Sequence, residues 1–191
     1  MNPSLRPWAG TLNEAPHLPL VELLREFDDV PWHGFVVAES PALVVLHRVS
    51  DRYDLDGYCA FPRDDIVSMS TTFERQDLIQ RALVWKRQGP RLPPALNTDS
   101  LRELMASAQS AFGVLVIERE KVHPDEVEVG TVRIASEDMY ILRWLTVDAE
   151  WENDDRPFRY RDVTKLEFGT EYEQTLLAVA RSRGTDDPAA P

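Results

Sequence analysis

The chain has 191 residues, of which 43% are hydrophobic and 28% are charged, a composition typical of one globular domain of ordinary size or two small ones. Its 21 Lys and Arg against 33 Asp and Glu give a net charge of −12, which argues against a nonspecific binder of nucleic acids or anionic membranes. The single cysteine, Cys59, excludes an internal disulfide and any zinc site built from several cysteines.

The amino-terminal residues lack the pattern of a signal peptide. Residues 1–8 contain no apolar run of the required length, and the longest apolar runs elsewhere, such as residues 42–46, are long enough only for strands. A helix that spans a bilayer needs about 20 predominantly apolar residues. With one thiol and no export signal, we expect a cytoplasmic protein.

The first part of the chain predicts an irregular, proline-containing arm at residues 1–17, followed at 18–88 by a unit of a helix, a barrel and a second helix. The leading helix is predicted because four apolar residues have the spacing i, i+3, i+4 and i+7. These are Leu20, Leu23, Leu24 and Phe27. Strands are predicted at 32–37, 43–49, 58–61 and 65–69. Thr71 and Glu74 have the spacing of a capping box, which predicts that the second helix begins there.

The second part of the chain repeats this order of predicted elements. Residues 89–99 predict a Pro-rich linker, residues 100–183 a second unit, and residues 184–191 a disordered tail. Helices are predicted to begin at Ser100 and Thr170, because each is followed three residues later by a glutamate. The strands predicted between them lie at 114–118, 127–134, 139–147, 158–160 and 163–168.

Matching residues at a fixed spacing indicate an internal repeat. Gly34, Val36, Ser40 and Leu46 correspond to Gly130, Val132, Ser136 and Leu142, each 96 residues later. Short strands joined by tight turns are typical of small antiparallel barrels, which close their own edges. The predicted fold is therefore mainly β, of the α+β kind, with two tandem Sm-like or SH3-like barrels that each have flanking helices.

Several stretches of the chain resemble a family of uncharacterised bacterial two-repeat proteins. They are Gly34-Phe35-Val36-Val37, Leu55-Asp56-Gly57-Tyr58 and Arg63-Asp64-Asp65-Ile66 in the first unit, and Glu150-Trp151-Glu152 and residues 160–169 in the second. The resemblance extends over roughly residues 32–180 and implies the tandem-barrel fold without implying an activity. The glycine and asparagine signature of the uridine pocket in Sm proteins is not present, so the resemblance does not imply RNA binding.

The sequence contains no motif of a nucleotide-binding or hydrolytic enzyme: G-x-G-x-x-G, the phosphate-binding Gly-Lys-Ser/Thr, G-x-S-x-G and H-E-x-x-H are all absent. The spacing of Cys59 and His47 does not indicate a nucleophile with its base, so Cys59 is predicted to be a buried structural thiol. The histidines His17, His33, His47 and His123 have no metal-ligand spacing, and we predict no metal and no cofactor.

Two acidic turns, residues 51–56 and 148–155, are predicted at corresponding positions of the two units. The first resembles part of a calcium loop, but Arg52 and Arg63 stand where that loop requires an aspartate and a glutamate. The turns therefore predict either solvated hairpin tips or a contact surface for a basic protein partner, with aromatic side chains as apolar anchors. The candidate contact residues are Tyr53, Asp54, Asp56, Glu150, Trp151 and Glu152.

These observations favour a non-catalytic, cytoplasmic protein-interaction module whose partner is another protein or a second copy of the chain. Two alternatives stay open. A Sm-like nucleic-acid-binding regulator would use a basic patch formed by Arg87, Arg91 and Arg102. An enzyme would need a carboxylate or cysteine site that the sequence does not specify.

Overall fold

The structure, a computed structural model, describes residues 18–134, 136–152 and 154–184. The predicted arm at 1–17 and all but the first residue of the predicted tail at 184–191 lie outside these residues. The strands are β1 (Leu20–Arg25), β2 (Trp32–Glu39), β3 (Leu43–Val49), β4 (Leu55–Pro62), β5 (Ile66–Ser70), β6 (Leu115–Arg119), β7 (His123–Ile134), β8 (Met139–Trp144), β9 (Arg156–Arg159) and β10 (Lys165–Phe168). The helices are α1 (Gln76–Lys86), α2 (Leu101–Phe112) and α3 (Glu171–Ser182).

The described strands form one ten-stranded antiparallel sheet in the order β5-β1-β2-β3-β4-β10-β6-β7-β8-β9. The prediction of a mainly β fold is confirmed. The prediction of two separately closed barrels is wrong, because β4 pairs with β10 of the other half and not with β5 of its own half. The two halves are thereby joined into a single open sheet.

The predicted leading helix of the first half is a strand. β1 has the spacing of a helical stripe in its leucines, but Val21, Leu23 and Arg25 are all buried and lie on one face of the strand. Its backbone pairs with β2 on one side and with β5 on the other. The pairing with two neighbours outweighs the local periodicity, so residues 20–25 form a strand where a helix was predicted. In the second half, the helix α2 precedes the first strand, as predicted.

The three capping signals have different outcomes. Thr170 and Glu173 form the predicted capping box, in which the Glu173 carboxylate accepts from the backbone N–H of Thr170 at 2.5 Å. Ser100 accepts from the N–H of Glu103 at 3.2 Å, as expected of an N-cap. The signal at Thr71 is wrong in position, because α1 begins five residues later, with Arg75 as its N-cap.

The two halves have the same strand order and corresponding strand registers. Gly34 on β2 pairs with Val21 and with Arg48. Gly130 on β7 occupies the same place in the second half, where it pairs with Leu115 and with Trp144. Both glycines lie where the adjacent strand comes close. A Cβ added at Gly34 would lie 2.7 Å from the carbonyl oxygen of His47, and a Cβ added at Gly130 would lie 2.0 Å from the carbonyl oxygen of Arg143.

The largest hydrophobic core lies where the halves meet. Buried side chains of β3, β4, β6, β8 and β10 contribute to it, and α2 covers them with Leu104, Met105 and Ala108. A second core lies between α3 and the start of β6, and two smaller ones fill the first half. Apolar side chains of both β4 and β10, among them Tyr58 and Phe168, are buried in this core, and their burial stabilises the joint between the halves.

Buried charges also connect the halves. The guanidinium of Arg25 bonds to Asp28 at 2.6 Å, to Glu120 at 2.7 Å and to the Thr164 carbonyl oxygen at 3.1 Å. Because β2, β3 and β4 separate β1 from β10 in the sheet, this contact requires the first half to curl strongly. The sheet stays open there, and the side chain of Arg25 connects the end of β1 to the residue before β10.

None of the helices within the described residues is both long enough and apolar enough to cross a membrane.

Replacing Gly130 by alanine is expected to destabilise the protein by about 3 kcal/mol, because the new Cβ would overlap the Arg143 carbonyl oxygen in the neighbouring strand. Gly89→Ala is the matched control, since no atom lies within 4 Å of the position its Cβ would take. The free energy of unfolding from urea titration measures both variants. Equal stability of the two variants would contradict the close approach.

Candidate functional site

The two predicted acidic turns have the same backbone geometry. The N–H of Tyr53 donates to the Ser50 carbonyl oxygen at 2.8 Å, and the N–H of Ala149 donates to that of Thr146 at 2.9 Å. Tyr53 and Ala149 have positive φ angles of 59° and 58°. The hydroxyls of Ser50 and Thr146 each accept from the backbone N–H four residues later at 3.2 Å. Each turn follows the third strand of its half and is stabilised by these two hydrogen bonds.

Beside each turn lies a groove. The first groove, of about 440 Å³, is lined by residues 30–33 and 48–51 with Tyr53, Arg75 and Ile79. The second groove, of about 660 Å³, is lined by residues 125–129 and 144–147 with Glu152, Arg156 and Tyr172. Residues 126–129 and 144–147 lie 96 positions after 30–33 and 48–51, which is the offset between the second and third strands of the two halves. The two grooves are therefore the same feature of the fold, formed once in each half.

The grooves differ in charge. The wall of the first groove contains Arg48, Arg75 and His33 and one carboxylate, that of Asp51. The wall of the second groove contains four carboxylates and one cation, Arg156. The acidic residues of the second groove are Asp125, Glu126, Glu128 and Glu152. The second groove is thus suited to cationic ligands and the first is not.

Two of the four carboxylates in the second groove are already paired. Glu128 is buried and accepts from Arg119 at 2.7 and 2.8 Å, and Glu126 lies 3.9 Å from the same guanidinium. Asp125 and Glu152 have no salt-bridge partner among the residues that the structure describes. These two carboxylates are therefore available to a ligand in the groove.

Apolar surface lies directly beside these carboxylates. Val147 is 78% exposed, Val127 is 60% exposed and Tyr172, in the first turn of α3, is 51% exposed. Trp144 forms part of the same wall, and the guanidinium of Arg156 lies 4.1 Å from its ring centroid. Large exposed apolar side chains next to unpaired charge are typical of protein contact sites.

The candidate residues of the first acidic turn are occupied with internal contacts. Asp54 forms an ion pair of 2.7 Å with Lys86. Asp56 accepts from the backbone N–H of Glu171 at 2.8 Å and so supports the start of α3. Tyr53 packs against the small core around Ile79 and also lines the first groove.

The candidate residues of the second turn have separate environments. Glu150 is exposed at the turn. Trp151 is half-buried against the core beneath α3 and pairs with Leu145 in an isolated bridge. Glu152 lines the second groove. Of the six candidates, Glu152 is the one that joins the acidic groove, while Trp151 stabilises the core beside it.

The two turns lie at opposite ends of α3. Asp56 contacts the first residue of the helix, and the side chain of Arg183, just after the last, donates to the Asp148 carbonyl oxygen at 2.7 Å. Twelve residues at 1.5 Å each make about 18 Å. The structure therefore brings the six candidate residues into two places along α3.

The geometry opposes a cysteine–histidine pair. Cys59 is fully buried, and burial, with a further contribution from Glu167, raises the pKa of its thiol. His47 stacks on Tyr58 with ring centroids 4.8 Å apart. Because successive strand residues point to opposite faces, Tyr58 and His47 lie on the other face of the sheet from Cys59. Among the described residues, no group of three His, Cys, Asp or Glu side chains could hold a metal ion.

Comparisons with protein-family models, with curated proteins and with solved structures found no match to this chain. The geometry of the grooves is therefore the basis for a proposed function.

The sequence patterns did not identify the residues that form most of the second groove. Val127 and Val147 lie within or beside predicted strands, where alternate apolar residues are expected to face a core. Tyr172 lies at a helical position, and Trp144 lies within the strand predicted at 139–147. The repeat offset of 96 is the sequence feature that could have indicated the grooves, because it relates the walls of the two grooves residue by residue.

The Pro-rich linker is attached to the sheet through His47. The backbone N–H of Arg91 donates to Nδ1 of His47 at 3.0 Å, and the hydroxyl of Tyr58 donates to the Arg91 carbonyl oxygen at 3.3 Å. Burial lowers the pKa of His47 to about 4, and the positive charge of Arg91 acts in the same direction. The contact therefore requires neutral His47, which accepts the hydrogen bond through Nδ1.

Lowering the pH from about 6.5 to about 4 is expected to reduce stability through His47, because the unfolded chain takes up a proton there that the folded chain does not. At about 1.4 kcal/mol per pH unit, the loss approaches about 3 kcal/mol. His47→Asn keeps an acceptor near the same position but does not titrate. Urea unfolding across this pH range should therefore show a steeper loss in the wild type than in the variant. Parallel curves would rule out this role of His47.

Proposed function

We propose that the chain is a non-catalytic protein-interaction module and that its second groove binds a basic segment of a protein partner. The observation that carries this proposal is the pair of carboxylates, Asp125 and Glu152, that lack internal partners and lie beside exposed apolar side chains. A partner segment that combines Lys or Arg with a large apolar side chain would complement both features.

The two parts of the groove would act differently in binding. The carboxylates at the rim would attract a basic segment over long range and speed its association, an effect that weakens with salt. Val127, Val147 and Tyr172 would bury apolar area on contact and so slow dissociation. The fixed turn at 146–150, with its positive φ at Ala149, would hold the wall of the groove in place before binding.

The equal strand order and registers support an origin of the two halves from one duplicated Sm-like or SH3-like unit. The single buried thiol supports a cytoplasmic location. The acidic groove does not favour the alternative of a nucleic-acid-binding regulator, because phosphates would be repelled from it.

The test begins with short peptides selected on the intact protein from a random library. We expect the selected peptides to contain Lys or Arg together with a large apolar residue, and their binding to shift the amide NMR signals of residues 125–129 and 144–147. Peptides that lack basic residues, or signals that shift elsewhere, would contradict the proposal.

Neutralising the rim with Asp125→Asn and Glu152→Gln is expected to lower the association rate of such a peptide about tenfold at low salt and less at high salt. The matched control is Glu74→Gln with Glu137→Gln, two exposed carboxylates outside the groove. Stopped-flow fluorescence measures the rates. Equal association rates for the two double variants would mean that the rim carboxylates do not contribute.

Truncating Tyr172 to alanine is expected to raise the dissociation rate about tenfold, a loss of about 1.4 kcal/mol, with little change in association. Trp85→Ala, which removes an exposed aromatic side chain of α1, is the control. An unchanged dissociation rate in Tyr172→Ala would exclude this side chain as an anchor.

A further inference from the structure

The open sheet ends in two outer strands, β5 and β9, which correspond to the two strands that join the halves. Met69 has the same position in the pairing of β5 with β1 that Leu166 has in the pairing of β10 with β6. Likewise, Pro157 has the same position in the pairing of β9 with β8 that Ala60 has in the pairing of β4 with β3. The edge of β10 that pairs with β4 is therefore the edge that, in β5, has no strand partner among residues 18–184 as far as the structure describes them.

The β9 edge is blocked. The bonds from Arg63 N–H to the Ala42 carbonyl oxygen and from Tyr160 N–H to that of Asp138 set which residues of β4 and β9 face their inner neighbours. By this alternation the backbone groups of Ala60 point toward β10. The backbone of Pro157, at the corresponding position of β9, points away from the sheet and has no N–H to donate. The other exposed residues of β9 are arginines, at 156 and 159, and charge and proline are the features that prevent pairing at sheet edges.

The β5 edge has neither feature. The bond of 3.0 Å from Val36 N–H to the Pro19 carbonyl oxygen shows which residues of β1 direct their backbone groups toward β2 and which toward β5. By the register of β5 with β1, the backbone groups of Ser68 and Ser70 point toward β1. The backbone groups of Val67 and Met69 therefore face away from the sheet. β5 contains no charged residue and no proline, and the side chains of Val67 and Met69 are 65% and 39% exposed.

We propose that β5 pairs with β5 of a second copy of this chain, antiparallel across a two-fold axis. In the register centred on Ser68, Met69 of one copy lies opposite Val67 of the other, and each pair exchanges two backbone hydrogen bonds. The apolar side chains of the paired residues then lie on the same face of the joined sheet. Because β5 is uncharged, the pairing places no like charges opposite each other.

The second copy is favoured over other strands for two reasons. The β4–β10 pair shows that the outer edge of the corresponding strand accepts an antiparallel neighbour in this fold. The blocked β9 edge prevents β5 from pairing with β9 of another copy, which would produce an open chain of subunits. Pairing of β5 with itself uses both open edges and closes at the dimer.

The test is the oligomeric state of the intact chain, measured by sedimentation equilibrium. The wild type is expected to be a dimer. Met69→Pro removes an N–H that faces outward and leaves the bonds to β1, and Val67→Lys places a charge at the edge. Each variant should raise the dimer dissociation constant at least about tenfold. Val84→Lys is the control, since Val84 is 69% exposed on α1, outside the edge.

Two results would overturn the proposal. One is a wild type that stays monomeric at the highest concentration reached, and the other is a dimer that both edge variants leave intact. The thermal unfolding of each variant, followed by circular dichroism at a concentration where it is monomeric, shows that the fold is retained. If Met69→Pro does not fold, Val67→Lys decides the outcome, because its side chain is largely exposed.

Discussion

The pairing of β4 with β10 is the interaction on which the rest of the structure depends. It uses three residue pairs, Leu166 with Ala60, Glu167 with Cys59 and Phe168 with Tyr58. On one face, Tyr58 and Phe168 stack in the large core under α2, and on the other face Glu167 meets Arg48 from β3 at 2.5 Å. Because the pair takes up the outer edge of β4, the first half cannot close on itself, and two units become one sheet.

The charges beside this joint determine which strands can meet there. Burial alone would lower the pKa of Lys165, but the carboxylates of Glu167 and Glu118 raise it above its usual value, with contacts of 2.9 and 2.7 Å. A buried ion pair contributes little net stability, yet loss of one partner leaves an uncompensated charge at a cost of about 3–5 kcal/mol. The network therefore penalises any arrangement that separates β10 from Glu118 of β6 or from Arg48 of β3.

Local patterns in the sequence were sufficient where a few adjacent residues determine the structure. Ser100 marks the start of α2, and Thr170 with Glu173 marks the start of α3. They were insufficient where a distant strand decides the outcome, as in β1, whose leucines have helical spacing. The partner of β4 lies about a hundred positions away, and the walls of each groove come from segments up to about 50 positions apart. Such contacts leave no local periodicity.

Comparison of corresponding positions in the two halves shows which features the fold requires and which can vary. Backbone requirements recur at corresponding places, as with the close approach at Gly34 and at Gly130. Side chains in the grooves do not recur, since Arg48 of the first corresponds to Trp144 of the second. An exposed side chain on a groove wall, such as Val127 or Val147, contacts little of the core. Its replacement changes the charge and shape offered to a ligand at small cost in stability. One backbone frame can therefore present two chemically different grooves, of which the second has more carboxylates than cations beside its exposed apolar surface and the first has more cations than carboxylates.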